Sequence, residues 1–285
     1  MPMLSREEYI EQAYLFRMLG ERLPQNQPMQ ELLAQLQEEV LATTNLPKAL
    51  DFMLAELKHT GSVHSAMARL SHYFTAFQTY LMQAAEDDRS RFDMRVAVEI
   101  LRFEAQYKAE GATLQGLFLY QFEALSRNRL RYDRGLMAMA SDDFYDADWK
   151  QFIRDTRLQI GIVDLADLIY VRSEEHQRRQ PTDDDDDAAE TPELPVLFGE
   201  KEGRIALANR RKDPLYFFAA LQRQLGYPPV PRPKPIDNSA DLIPQMLRRM
   251  ERLEVRLKLL EEENKPGGID LTKFYDPKNL PPIDE

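Results

Sequence analysis

The chain has 285 residues, of which 43% are hydrophobic and 30% charged, and 37 basic side chains stand against 48 acidic ones. This composition supports a hydrophobic core, and the formal net charge of -11 disfavours broad binding to polyanions such as nucleic acids. Because cysteine is absent, disulfides, thiolate nucleophiles and cysteine-ligated metal centres are excluded.

The first predicted region is a helical array over residues 1–176. No proline occurs between Lys48 and Gln180, whereas fourteen of the eighteen prolines follow residue 180. Since proline disrupts the interior of a helix, this distribution predicts an all-α, multi-helix array. The predicted helices run from Ser5 (with Glu8 as a capping box) to Leu19, from Pro28, from Pro47 to Gly61, and over 63–86, 91–110, 113–140 and 147–177.

The array contains one cluster of residues that could form a polar pocket. Asp164 and Asp167 are three positions apart in a strongly apolar stretch that is predicted to be helical, and buried carboxylates need partners. The candidate partners are Arg127, Arg129, Arg131 and Arg134. A structural ion-pair network is the common outcome of such a pattern. Acid–base chemistry by the paired carboxylates is the alternative, and it would make the protein an enzyme.

The array is predicted to end at an acidic, disordered linker over 177–196. Five consecutive aspartates, 183 to 187, repel one another and have nothing apolar to bury. A basic and aromatic helical segment, 197–227, follows. Asp213 and Pro214 are a favourable cap and first residue for a helix that carries Leu215, Phe217 and Phe218. So much apolar surface is expected to dock on the array.

The same segment carries Arg210, Arg211 and Lys212, which give a second alternative function. A nucleic-acid-associated protein gathers basic residues on one face, with aromatic side chains nearby. Tyr216, Phe217 and Phe218 lie near this cluster. Their helical spacing suits a core contact better than a stacking surface, however, and the protein as a whole is acidic. Nucleic acid is therefore not the expected partner.

The chain then forms a proline-rich spacer, 228–238, a coiled-coil helix, 239–265, and a flexible tail, 266–285. Apolar residues in the helix recur at spacings of three and four, which is the heptad pattern of a coiled coil. The predicted seam consists of Ile243, Met246, Met250, Leu253, Leu257 and Leu260.

Charges beside the seam predict the orientation of the pair. With Ile243 at position a, Arg249 and Arg256 occupy g positions, and Glu254 and Glu261 occupy e positions. In a parallel dimer each g residue faces the e residue five positions further on in the partner, so both contacts are attractive. An antiparallel dimer would bring like charges together. We therefore predict a parallel homodimer; packing of the helix against its own domain is the alternative, which the off-seam Leu247 and Leu259 favour.

Sequence motifs for catalysis or cofactor binding are missing. The eleven glycines contain no G-x-G, and neither G-x-S-x-G nor H-E-x-x-H occurs. Glu56 and His59 form a single Glu-x-x-His, whereas a di-iron bundle needs that pair twice. The aspartates between 142 and 148 do not match the ligand spacing of a calcium loop. No catalytic, cofactor-binding or metal-binding residue is predicted.

The sequence does not show the pattern of a signal peptide or of a membrane span. The first residues, MPMLSREEYIEQ, lack the basic start and apolar run of a signal peptide. The longest uncharged stretch, 70–85, has 16 residues, fewer than the roughly 20 that a membrane span needs. A cytoplasmic location without membrane contact is expected.

Two segments, GLFLYQFEALSRNRLRYD (116–133) and LFGEKEGRIALANRRKDPLYFFAALQRQLGYP (197–228), resemble stretches of an uncharacterised family of bacterial proteins. The resemblance implies an all-helical module with a coiled-coil end, and it carries over no activity, cofactor or catalytic residue. The function expected from the sequence is that of a non-enzymatic adaptor. It would dimerise through its C-terminal helix and bind a protein partner, whose identity the sequence leaves open, with its helical array.

Overall fold

The computed structural model describes residues 4–25, 27–87, 92–179 and 194–232, together with residues 250, 253, 254 and 257. Residues Met1–Pro233 belong to one compact unit, called the helical unit below, and Lys234–Glu285 to a second. The described residues form α-helices, one short 3-10 turn and no strand, so the prediction of an all-α protein is confirmed for this part of the chain. Most of the predicted linker and spacer, and the whole tail, lie outside the described residues.

The helices are α1 (Arg6–Arg22), α2 (Met29–Glu39), α3 (Leu46–Thr60), α4 (Val63–Arg69), α5 (Ala76–Glu86), α6 (Met94–Glu110), α7 (Leu114–Arg127), α8 (Tyr132–Ala140), α9 (Ala147–Gln159), α10 (Leu165–Val171), α11 (Glu174–Arg179), α12 (Glu200–Asn209) and α13 (Pro214–Leu225). The longest two, α1 and α6, pack against each other. One hydrophobic cluster runs through the helical unit, from Leu15 on α1 to Phe218 and Leu221 on α13.

The predicted helix over 63–86 is two helices, α4 and α5. The second begins at a capping box, because the Thr75 hydroxyl accepts from the Gln78 backbone N–H at 3.3 Å and the Gln78 side chain accepts from the Thr75 N–H at 3.1 Å. The Ser5 hydroxyl likewise caps α1 by accepting from the Glu8 backbone N–H. The Glu8 side chain, however, does not accept from the Ser5 backbone N–H, so the predicted capping box is only half formed. The Glu8 carboxylate turns into the core and accepts from the Asn45 backbone N–H at 2.8 Å and from the Tyr73 hydroxyl at 3.0 Å.

The predicted helices over 113–140 and 147–177 are also interrupted. The first divides at a left-handed residue, Arg129, between α7 and α8. The second divides after Gly161, which has φ 92° and therefore a conformation that suits only glycine well. Asp164 then starts a new helix, because its side chain accepts from the Ala166 backbone N–H at 3.1 Å. Asp164 is thus a helix cap and does not lie inside a helix as predicted.

Three charged side chains are buried together in the middle of the helical unit. The ammonium of Lys108 lies 3.0 Å from a carboxylate oxygen of Glu104, one turn earlier on α6, and 3.0 Å from Asp142, in the loop after α8. Gln121 on α7 donates to Glu104 at 2.8 Å and accepts from the Tyr145 hydroxyl at 2.8 Å. Burial raises the pKa of Glu104. Burial lowers the pKa of Lys108, but the two carboxylates outweigh this and hold it above its ordinary value.

Residues 194–232 pack on the helices that precede them in the chain. The backbone N–H groups of Leu197 and Phe198 donate to the carbonyl of Arg172 at 2.9 and 3.0 Å, and the Phe198 ring lies 5.2 Å from that of Trp149. Further on, the buried Tyr227 hydroxyl lies 2.8 Å from the carboxylate of Glu123 on α7. The compact unit therefore reaches Pro233, well beyond the predicted end of the array at residue 176.

Replacing Lys108 with methionine is expected to lower the free energy of unfolding by about 3–5 kcal/mol, because it leaves two buried carboxylates without a cation. The matched control is Lys150→Met, since Lys150 forms a 3.1 Å pair with Asp143 at the surface, and its loss is expected to cost less than about 1 kcal/mol. Chemical denaturation measures both variants. Equal effects would show that the buried triad does not stabilise the fold.

Candidate functional site

A cavity of about 630 Å³ lies between helices α4 and α5 on one side and the connection from α7 to α8 on the other. We call it the arginine cavity. The described residues that line it are His64, Tyr80, Gln83, Ala84, Glu86, Asp87, Arg129, Leu130, Arg131 and Arg134. Its volume falls within the range of about 300–1,000 Å³ that is typical of small-molecule sites.

The first wall is held together by Glu86, at the end of α5. Its carboxylate accepts from the backbone N–H groups of Val63 at 2.6 Å and His64 at 3.0 Å, and it lies 2.5 Å from Nδ1 of the His64 ring. Ser62, the residue before α4, makes no side-chain cap of its own. Glu86 therefore caps α4 from another helix, and a negative charge at a helix N-terminus is favourable. This contact also fixes the orientation of the His64 ring.

The second wall is the C-terminal cap of α7. The Arg129 N–H donates to the Ser126 carbonyl at 3.2 Å, and the Leu130 N–H donates to the Leu125 carbonyl at 2.9 Å. This pair of bonds places the residue after the cap in the left-handed region, where glycine is the usual choice. Here the residue is Arg129, with φ 53°. A residue with a Cβ atom has an unfavourable conformational free energy in the left-handed region. This wall of the cavity therefore has a cationic side chain at a position where the backbone favours glycine.

The three arginines of the cavity form no ion pair with any residue in the described ranges, and all three are exposed. The fourth predicted arginine, Arg127, lies outside the cavity and pairs with the buried Glu123. The Tyr80 hydroxyl donates to the backbone carbonyl of Arg131 at 3.0 Å and so anchors the arginine turn to α5. Burial raises the pKa of Tyr80, and the charges of Arg131 and Arg134 oppose part of that rise.

Asp164 and Asp167 lie elsewhere, which corrects the pairing expected from the sequence. Asp164 accepts from the Arg211 backbone N–H at 3.0 Å, and Asp167 lies 2.5 Å from the guanidinium of Arg210. The physical reason is that α12 packs beside α10 and brings its C-terminal end to these two carboxylates. No residue of the predicted Arg127–Arg134 cluster shares a described hydrogen bond or ion pair with either aspartate.

The second basic cluster is thereby partly neutralised. The Arg210 guanidinium pairs with Asp167 and also lies 4.3 Å from the centre of the Tyr170 ring. Arg211 and Lys212 are exposed. Phe217 and Phe218 are buried in the core as expected, so these two rings are not available as a stacking surface. Tyr216 is 69% exposed, so the expected core contact is wrong for this residue.

The predicted dimerisation residues belong to the second unit. Met250, Leu253 and Leu257 are helical, and their exposed fractions are 58%, 57% and 58%. Glu254 is helical and exposed as well. The remaining predicted residues, Ile243, Met246, Arg249, Arg256, Leu260 and Glu261, lie outside the described residues.

Sequence reasoning found the arginines of the cavity but missed His64, Tyr80 and Glu86. These lie 40 to 70 positions earlier in the chain, roughly, and no local pattern joins them to residue 129. Among the described residues no group of three or more potential metal ligands occurs, and none of the helices described is long and apolar enough to cross a membrane. Glu56 of the Glu-x-x-His pair contacts Arg69 at 2.7 Å.

No family model, curated protein or solved structure matches this chain. The site is therefore interpreted from its own residues.

Replacing Arg129 with glycine is expected to leave the free energy of unfolding unchanged or to raise it by up to about 1 kcal/mol. The gain comes from removing a side chain from a left-handed conformation, and the larger backbone entropy of glycine offsets part of it. Arg129→Ala keeps the unfavourable Cβ atom and is the control. Denaturant titration compares them; a glycine variant less stable than the alanine variant would contradict the backbone argument.

Proposed function

We propose that the protein is a non-enzymatic, cytoplasmic adaptor that forms a parallel homodimer through residues 239–265 and offers two copies of its helical unit to a protein partner. The observation that carries this proposal is the exposure of Met250, Leu253 and Leu257 on a helix. Their spacing of three and then four residues places them along one stripe, as the seam of a coiled coil requires.

Burial of the stripe is the driving force for association. Removing a leucine, isoleucine or methionine side chain from water contributes roughly 1.5–3 kcal/mol, and the seam of each chain has six such residues, from Ile243 to Leu260. A second copy of the chain is the occupant that suits the stripe best, because it brings the same spacing and the complementary charges. The seam is only about three heptads long, so the dimer is expected to dissociate on dilution.

Orientation follows from the flanking charges. In the parallel arrangement Arg249 faces Glu254 of the other copy, and Arg256 faces Glu261. In the antiparallel arrangement arginine approaches arginine and glutamate approaches glutamate. Each exposed pair contributes only modestly to stability, but four such contacts of one sign decide between two otherwise similar arrangements.

The partner-binding face of the helical unit is expected around the turn between α9 and α10. Leu158 and Ile162 are 73% and 87% exposed, and Val171 is 41% exposed. Val171 and Leu194 also line a cavity of about 290 Å³ between these helices. Exposed apolar surface of this kind favours binding of another protein. Two such faces on one dimer would bind a repeated target more tightly than a single face does, through the effective concentration of the second site.

The intact 33.3 kDa chain is expected to be a dimer by light scattering, and a chain that ends at residue 238 a folded monomer. Leu257→Asp, which puts a charge in the seam, is expected to shift the intact chain to monomer at micromolar concentration. The matched control is Leu158→Asp, because Leu158 is also an exposed leucine but lies in the helical unit. An intact chain that is monomeric at high concentration, or equal effects of the two variants, would refute the proposal.

Charge reversal tests the orientation separately. Arg249→Glu places glutamate opposite Glu254 in a parallel dimer and is expected to weaken association several-fold. Adding Glu254→Arg in the same chain restores the attractive pair and is expected to recover the dimer. Analytical ultracentrifugation gives the dissociation constants. A single variant that dimerises more tightly than the unchanged protein would indicate the antiparallel arrangement.

A further inference from the structure

We propose that the arginine cavity binds a small organic anion that carries a diphosphate group. The site belongs to the helical unit alone and does not depend on dimerisation.

Basic side chains outnumber acidic ones among the described residues that line the cavity. Three guanidinium groups, those of Arg129, Arg131 and Arg134, line it and form no ion pair within the described ranges. Two carboxylates, Glu86 and Asp87, line it as well. Glu86 is already engaged by two backbone N–H groups and by His64. Among the described residues that line the cavity, three guanidinium groups therefore stand against two carboxylates, in a chain whose net charge is strongly negative.

The backbone of Arg129 has the left-handed conformation, which is unusual for a residue with a side chain. The cap of α7 needs a left-handed residue, and glycine satisfies that need without a side chain. A cation stands there instead, with φ 53°. Arg211, which follows α12, has a similar φ of 58° but is not among the residues that line the cavity. Among the residues that the structure describes, Arg129 and Arg211 are the two arginines in this conformation, and of these two Arg129 lines the cavity.

The backbone of the turn 128–131 is held in place before any ligand arrives. The Tyr80 hydroxyl fixes the carbonyl of Arg131, and the Asn128 side chain donates to the Pro231 carbonyl at 3.2 Å. The turn that carries Arg129 and Arg131 is therefore attached both to α5 and to the segment after α13. The backbone that carries these arginines therefore loses little further entropy when their side chains bind a ligand.

The chemical class of the ligand follows from the side chains. Guanidinium groups bind phosphate through two parallel N–H bonds, and three of them suit more than one phosphate group. The cavity of about 630 Å³ also leaves room for an organic part beside Ala84 and Leu130, which line it. A diphosphate ester meets both conditions, whereas a single inorganic phosphate uses only part of the site.

Isothermal titration calorimetry on the intact protein tests the proposal, with inorganic phosphate, pyrophosphate and adenosine 5′-diphosphate as probes. All titrations are run at one ionic strength, because exposed charges are screened by salt. We expect saturable binding of pyrophosphate or adenosine 5′-diphosphate with a dissociation constant below about 100 µM, and at least tenfold weaker binding of phosphate. Adenosine 5′-diphosphate is expected to bind more tightly than pyrophosphate, because the proposed ligand has an organic part. Equal or weaker binding of adenosine 5′-diphosphate would overturn the organic part of the proposal.

Arg129→Gly is expected to weaken binding of the better probe at least tenfold, while its melting temperature stays the same or rises. Arg211→Gly makes the same change in charge and backbone away from the cavity and is expected to bind as the unchanged protein does. Arg134→Gln, on an ordinary helical backbone, is expected to weaken binding as well. The absence of saturable binding by both diphosphate probes, or equal losses in the Arg129 and Arg211 variants, would overturn the proposal.

Discussion

The buried triad of Glu104, Lys108 and Asp142 constrains how the middle of the helical unit can pack. An ammonium without solvent needs both carboxylates within hydrogen-bond distance, so the loop after α8 must lie against α6. Gln121 and Tyr145 extend the same network to α7 and to the loop before α9. The position of α8 follows from these contacts, and α8 carries Arg134 of the arginine cavity.

Charged groups elsewhere in the helical unit obey the same requirement. Glu123 is buried and has Arg127 and Tyr227 as partners, and Glu175 is buried beneath three arginines of α11 and α12. Arg129, Arg131 and Arg134 differ from these groups, since within the described residues they converge on a cavity without carboxylate partners of their own. Unbalanced cations around a concave surface are the arrangement that an anionic ligand completes. The adaptor role and the anion site are compatible, because they use different parts of the chain.

Part of this structure could be predicted from the sequence. Other features could not, for reasons that differ from one residue to the next. The all-α class follows from the distribution of proline, and α3 ends at Gly61, where the sequence predicts its end. Thr75 and Gln78 have the spacing of a capping box, which marks the start of a helix. They lie within a continuous apolar pattern, however, and the sequence therefore predicts one helix where the structure has α4 and α5. The end of α7 near Arg129 could not be predicted from the sequence, because a left-handed residue after a helix is normally recognised as a glycine. The partner of Asp167 could not be predicted either, since Arg210 reaches it only through the packing of α12 on α10.

Arg129, Arg131 and Arg134, which form no ion pair within the described residues, mark the ligand site of the helical unit. A crystal structure of the intact protein grown with pyrophosphate tests this most directly. The account predicts two phosphate groups in the arginine cavity, within hydrogen-bond distance of the Arg129 and Arg134 guanidinium groups. A cavity without pyrophosphate in a crystal that holds it at Arg211 or elsewhere on the surface would contradict the account.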